Sequence, residues 1–117
     1  MLQAAPQLLL LSDRSAPRTA TLLRAAGYAV SVVNHPAMMD TFDDGVIVEL
    51  PALAAIGIVR RIEARQCDIP ILVISAEAES LKRALPSVRV IASEDIDDDL
   101  VSGVDLALAA RQLQRTG

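Results

Sequence analysis

Five short, almost unbroken apolar runs recur along this chain, at 7–11, 28–33, 46–50, 71–75 and 88–92, each followed by a stretch of different character. A strand with one wet face alternates apolar and polar residues, whereas a strand covered on both faces reads as one hydrophobic run. Leu8 to Leu11 and Ile71 to Ile74 are of the second kind. Cover on both faces calls for helices above and below, which parallel strands joined through helices provide. The expected fold is therefore α/β, a doubly wound five-stranded parallel sheet with helices on both faces. Functional groups then gather outside the C-terminal strand ends, near the switch in strand order. Ser12, Asp13, Glu49, Ser75 and Ser93 all fall at such ends.

The intervening segments carry helix signals. Ser15 can cap a first helix with Pro17 in its first turn, Leu22, Leu23 and Ala26 as its buried face, and Gly27 as its C′ residue. Residues 36–44 leave room for only a turn or two. A longer helix is expected over 53–66, with Leu53, Ile56, Val59 and Ile62 inward and Arg60, Arg61, Glu63 and Arg65 outward. A short helix over 77–85 runs into Pro86. The last helix starts near Asp97 and carries Leu100, Val104, Ala107 and Leu108 on one face. Its acidic start (Asp97, Asp98, Asp99) and basic end (Arg111, Arg115) complement the helix dipole. No repeat or linker interrupts the pattern, so residues 1–117 are read as one domain.

Composition narrows the function classes. Hydrophobic residues make up 52% and aromatics 2%, so the core is aliphatic. A net charge of −4 argues against nucleic acid as partner, since that surface is normally basic. Cys67 is the only cysteine, which excludes an internal disulfide and cysteine-cluster metal sites and suits a reducing compartment. Leu8 to Leu11 is too short for a signal-peptide core or a membrane span, so a cytoplasmic protein without a membrane association is expected.

Other chemistry finds little support. His35, the single histidine, sits beside Pro36 and reads as an exposed loop residue. The serines lack a nucleophile elbow and a second histidine, and the glycines form no phosphate-binding cluster. The acidic run 94–99 reads as helix-start charge, and Met38 and Met39 as cover for the core of a short helix. No enzymatic activity, catalytic residue, metal or cofactor is expected.

The stretch from Gly45 to Ala76 (GVIVELPALAAIGIVRRIEARQCDIPILVISA) resembles the middle of a response-regulator receiver domain, the phosphoryl-accepting module of bacterial two-component signalling. Leu-Leu-Arg-Ala-Ala-Gly-Tyr (22–28) is similar to the end of the first receiver helix. Val-Arg-Arg-Ile-Glu-Ala-Arg (59–65) and Asp-Ile-Pro-Ile-Leu-Val-Ile-Ser-Ala (68–76) are similar to the third helix and fourth strand. The resemblance implies a flavodoxin-like sheet, here with shortened second and fourth helices.

It also implies an acceptor pocket, which this chain keeps only in part. Receivers carry two adjacent acidic residues after the first strand to hold Mg²⁺; here the pair is Ser12-Asp13. The acceptor aspartate is replaced by Glu49. The hydroxyl residue after the fourth strand is kept as Ser75. The lysine after the fifth strand aligns with Ser93, with Glu94 where a proline usually follows, and the switching aromatic aligns with Val90. Phosphoryl transfer rests on positioning and on neutralising charge with a metal and a cation. A lost carboxylate, a lost lysine and a carboxyl displaced by one methylene together oppose ordinary phosphoacceptance. As a mimic of the phosphorylated state Glu49 carries less charge than the roughly −1.5 to −2 of a phosphoryl group. A plainer reading makes it a solvated loop carboxylate paired with Arg14.

The expected role is that of a complete, stand-alone receiver-like regulator that is not phosphorylated and binds a sensor histidine kinase or phosphotransfer protein as inhibitor, adaptor or scaffold. By resemblance, the contact patch comprises Arg14, Ala16, Arg18, Thr19 and Leu22 of the first helix region with Ser93, Glu94, Asp95 and Ile96, and a homodimer would form through the last helix and its neighbours. Two alternatives stand beside it: a phosphoacceptor using Asp13 in a rearranged pocket, and an oligomerisation or interaction domain outside two-component signalling.

Overall fold

The computed structural model describes residues 6–13, 18–34, 44–65 and 69–116, with side chains as far as residue 110. Strands β1 (Gln7–Ser12), β2 (Ala29–Val33), β3 (Gly45–Glu49), β4 (Ile71–Ser75) and β5 (Arg89–Ala92) form one sheet in the order β2-β1-β3-β4-β5. Every neighbouring pair is parallel. The chain moves outward from β1 to β2, then returns to the other side of β1 for β3. That reversal puts the switch point between the C-terminal ends of β1 and β3, where Ser12 stands in register with Glu49.

Helices α1 (Arg18–Ala25), α2 (Ala52–Arg65), α3 (Ala78–Ala84) and α4 (Ile96–Thr116) flank the sheet. Strand alternation divides the core into two layers. Leu9, Leu11, Val46, Val48, Ile71, Val73 and Val90 pack against Ala55, Val59 and Ile62 of α2 and Leu81 of α3. Leu8, Leu10, Ile47, Leu72, Ile74 and Ile91 pack against Leu23 of α1 and Leu100 and Val104 of α4. Each such aliphatic side chain contributes about 1.5–3 kcal/mol when fully removed from water. At Gly103 a Cβ would stand 3.0 Å from Ile91 Cδ1 and 3.2 Å from Leu72 Cδ1, so the bare backbone lets α4 lie close to the sheet.

Helix α1 ends as its sequence suggests. Gly27 adopts φ +101°, its N–H bonds to the Arg24 carbonyl, and the Tyr28 N–H reaches back to the Leu23 carbonyl. This pair of bonds is a Schellman motif, which needs a residue tolerant of positive φ. The inward face of α1 differs from expectation: Thr19, Ala20 and Leu23 are buried, Leu22 is half-buried, and Ala26 lies exposed beyond the helix end.

The inward face of α2 also differs. Ala52, Ala55, Ile58, Val59 and Ile62 are buried, whereas Leu53 is 87% exposed. Strict three-residue spacing drifts about 60° per step around a helix, which leaves Leu53 roughly 120° from Val59. Four residues at that spacing cannot share one face. Helix α3 has 7 residues, in keeping with the shortened fourth helix expected over 77–85. The readings made for Ser15, Pro17, His35, Met38, Met39, Cys67 and the short helix over 36–43 lie outside the described residues, as do the side chains of Arg111 and Arg115.

Candidate functional site

The C-terminal rim of the sheet gathers Ser12, Glu49, Ser75 and Ser93, but it does not aim them all at one point. Ser12 and Glu49 are direct register partners on adjacent strands. Alternation from Leu10 and Ile47 puts both on the α1/α4 side. Ser75 follows Ile71 and Val73, so it belongs to the α2/α3 side. Its Oγ accepts a hydrogen bond from the Glu77 N–H at 3.1 Å, closing the turn between β4 and α3. Ser93, in register terms one step beyond Ala92, is exposed and opens a single 3₁₀ turn, Ser93–Asp95, before α4. Asp13 is exposed just past the end of β1.

Glu49 is not a loop carboxylate. It is the last residue of β3, half-buried, and its Oε1 is buried without a hydrogen-bond partner among the described residues. Arg14, proposed as its ion-pair partner, lies outside them. Ser12 beside it is fully buried. This is an unusual setting for a carboxyl group, because a buried acceptor without a donor forfeits about 1–3 kcal/mol of desolvation.

The contact patch expected from the first helix and the loop after the fifth strand survives in part. Arg18, Glu94 and Asp95 are exposed, while Leu22 and Ile96 are half-buried. Arg14 and Ala16 lie outside the described residues. Thr19 must be withdrawn from any contact surface: it is 0% exposed, on the sheet-facing side of α1, and its Oγ1 has no hydrogen-bond partner among the described residues. A threonine in a first turn reads as surface or cap from sequence, and only the helix phase shows that it points inward.

Sequence reasoning missed the ties between α1 and α4. Arg18 Nη2 lies 2.5 Å from Asp97 Oδ1, joining the starts of the two helices. The Tyr28 hydroxyl donates to Asp105 farther along α4. It also missed a groove of about 320 Å³ beside β5, whose rim includes Glu77, Glu79, Glu94, Asp95 and Asp99 with Lys82 as the positive charge. The acidic run 94–99 was its only visible trace. Val90 is buried in the α2/α3 layer, an aliphatic plug at the position where an aromatic was expected.

The arrangement has known counterparts. No family profile and no curated protein matches the sequence. Among solved structures, the signal receiver domain of an HD domain-containing protein from Pseudomonas fluorescens Pf-5 superposes with a TM-score of 0.80 at 16% identity, covering 99% of this chain and 96% of that one. A response regulator receiver protein from Sinorhizobium medicae WSM419 gives a TM-score of 0.75 at 20% identity over 92% of this chain and 97% of that one. A protein described as a transiently phosphorylated "switch" in bacterial signal transduction gives 0.70 at 17% identity, over 92% and 97%. The fold is that of a response-regulator receiver domain.

The receiver fold implies Mg²⁺ at the switch point, and the donors here do not fit it. Mg²⁺ is commonly held by one or two carboxylates together with phosphate oxygens and water. At this switch point Ser12 is neutral and buried, Asp13 is exposed, and Glu49, half-buried in register with Ser12, is the one strand residue there with a carboxylate among the described residues. Among the described residues, no three His, Cys, Asp or Glu side chains come together in an arrangement that could hold a metal ion. The exit of β5, where a receiver's lysine would neutralise charge, is Ser93-Glu94-Asp95. No helix among the described residues is long and apolar enough to cross a membrane.

Proposed function

We propose that this chain is a receiver-like regulator of bacterial two-component signalling that works by docking and not by phosphoryl transfer. It engages a sensor histidine kinase or a phosphotransfer protein in the cytoplasm as an inhibitor, adaptor or scaffold, and it has no enzymatic role of its own. The observation that carries this reading is the pair Ser12–Glu49. A receiver needs carboxylates and a cation at this point of the switch; here a buried hydroxyl stands beside a half-buried carboxyl, one of whose oxygens has no partner among the described residues. Adding a dianionic phosphoryl group next to Glu49, with an acidic β5 exit in place of a lysine, sets like charges against one another with no cation to offset them among the described strand-end residues.

The partner surface on this reading is the exposed rim formed by Arg18 at the start of α1 and Ser93, Glu94 and Asp95 after β5. The Arg18–Asp97 pair holds these two stretches side by side. Autophosphorylated sensor kinases offered to the chain should bind it without passing on their label, and Arg18→Glu should weaken the complex. Transfer of the label to the chain would contradict the reading. Exposure of Asp13 favours one other possibility, phosphoacceptance at Asp13 itself. In that case Asp13→Asn abolishes labelling while Glu49→Gln does not.

A further inference from the structure

The groove beside β5 holds the charge imbalance of the whole molecule. Its lining carries Glu77, Glu79, Glu94, Asp95 and Asp99 against Lys82 alone. The chain as a whole has 15 acidic and 11 basic residues. Outside the groove the two signs balance at ten of each, so the net charge of −4 belongs to this one feature. Lys82 lies 3.7 Å from Glu79. Glu77, Glu94, Asp95 and Asp99 have no ion-pair partner among the described residues. Walls and floor all fall within residues 76–99, which are described throughout.

Between these carboxylates the floor is apolar, and it is a strand edge. Val90 and Ile91 are buried and Ala92 is half-buried. The phase of that edge follows from the ladders. The Val46 N–H donates to the Pro70 carbonyl, so the backbone groups of Leu72 face β3 and those of Val73 face β5. Val73 is in register with Val90, which sets Arg89 and Ile91 toward β4 and turns Val90 and Ala92 outward. Among the described residues no strand pairs with this edge and no side chain bonds to it. The opposite edge differs: there Arg24 Nη2 donates to the Val30 carbonyl of β2 at 2.9 Å.

The two walls belong to different layers. Glu77 and Glu79 stand at the start of α3, on the side shared with α2, whereas Asp99 stands on α4. Glu94 and Asp95 close the end of the groove in the 3₁₀ turn. Successive side chains of an extended segment point to opposite faces. A strand laid along β5 therefore sends neighbouring residues to opposite walls, and carboxylates meet both.

We propose that this groove docks an extended basic segment of a partner protein, an adjacent Lys-Arg pair flanked by β-branched residues, which adds to β5 as a short sixth strand. Charge selects the occupant: a basic segment is attracted, while nucleic acid and anionic lipid are repelled. The open edge makes that occupant a peptide, because Val90 offers both an N–H and a C=O. A polyamine has donors alone and could answer only the carboxylates.

The test uses the full chain, ¹⁵N-labelled, and the synthetic peptide acetyl-Thr-Val-Lys-Arg-Val-Thr-amide. Saturable amide shifts should centre on Val90 and Ala92, and affinity should fall as salt rises. Glu77→Gln combined with Asp99→Asn removes one carboxylate from each wall and should weaken binding about fivefold, the size set by two exposed ion pairs. N-methylation at alternate peptide residues should abolish binding in one phase and spare it in the other, since only one phase turns its N–H groups to β5. Spermine should displace the peptide only weakly. Absence of binding, shifts centred away from β5, or an affinity indifferent to the double substitution overturns the proposal. So does equal tolerance of both N-methylation phases, or spermine that competes as well as the peptide, either of which would reduce the groove to counter-ion attraction. Arg18 is untouched throughout, so the outcome is independent of kinase docking on the α1 side.

Discussion

Ser12 and Glu49 stand side by side at the switch point of the sheet, one fully buried and neutral, the other half-buried with one carboxylate oxygen that has no partner among the described residues. In a phosphoryl-accepting pocket this is where charge on a metal and charge on a phosphoryl group must balance. Here the parallel register of β1 and β3 sets a single carboxylate beside a neutral hydroxyl at that point.

Glu49 is predicted to cost stability where it stands. Glu49→Met keeps similar length and removes the unpartnered oxygen, so urea unfolding should show a gain of about 1 kcal/mol. A clear loss would mean that the carboxylate has a stabilising partner.

Thr19 offers a second test of the same physics at a distinct place. Its hydroxyl is buried on the inner side of α1 without a partner among the described residues, and valine has nearly the same shape. Thr19→Val is expected to raise stability by about 1 kcal/mol, with the unfolding midpoint moving up and the urea slope unchanged.

The phase of α2 separates two residues that look alike in sequence. Leu53 is 87% exposed, and Leu53→Ser should leave stability within about 0.5 kcal/mol of the parent. Ile62 is 2% exposed between α2 and the sheet, and Ile62→Ala should cost about 2–5 kcal/mol. Equal effects at the two positions would mean that the helix is rotated from the orientation described.

Gly27→Ala forces a Cβ into φ +101° at the end of α1. There is open space around it, so the cost is backbone strain alone, about 1–2 kcal/mol by thermal or urea unfolding.

Much of this architecture was legible because buried parallel strands announce themselves. The sequence reading of Ile71–Ser75 as a strand matches the bounds found, since four apolar residues and a serine between Pro70 and a turn have few other uses. Gly27 was equally readable, as only a residue free of a side chain suits that turn. Helix phase was harder. Leu53, Ile56, Val59 and Ile62 all look inward on a three-residue count, yet the sheet accepts only the arc centred between Val59 and Ala55. The rim serines and Glu49 were found at their strand ends, but sequence could not say that Ser75 turns to the opposite face from Glu49. That follows from the register of β3 against β4. Nor could it show that Arg24 reaches a carbonyl on β2, because long side chains choose partners only after the elements are placed.

The most direct test of the docking account is to titrate the ¹⁵N-labelled chain with Mg²⁺ and beryllofluoride while following the amides of Ser12, Glu49, Ser75 and Ser93. The account predicts no saturable shift at any of them. Saturable, Mg²⁺-dependent shifts centred on Glu49 would show that the pocket still takes a phosphoryl-like group, and would contradict it.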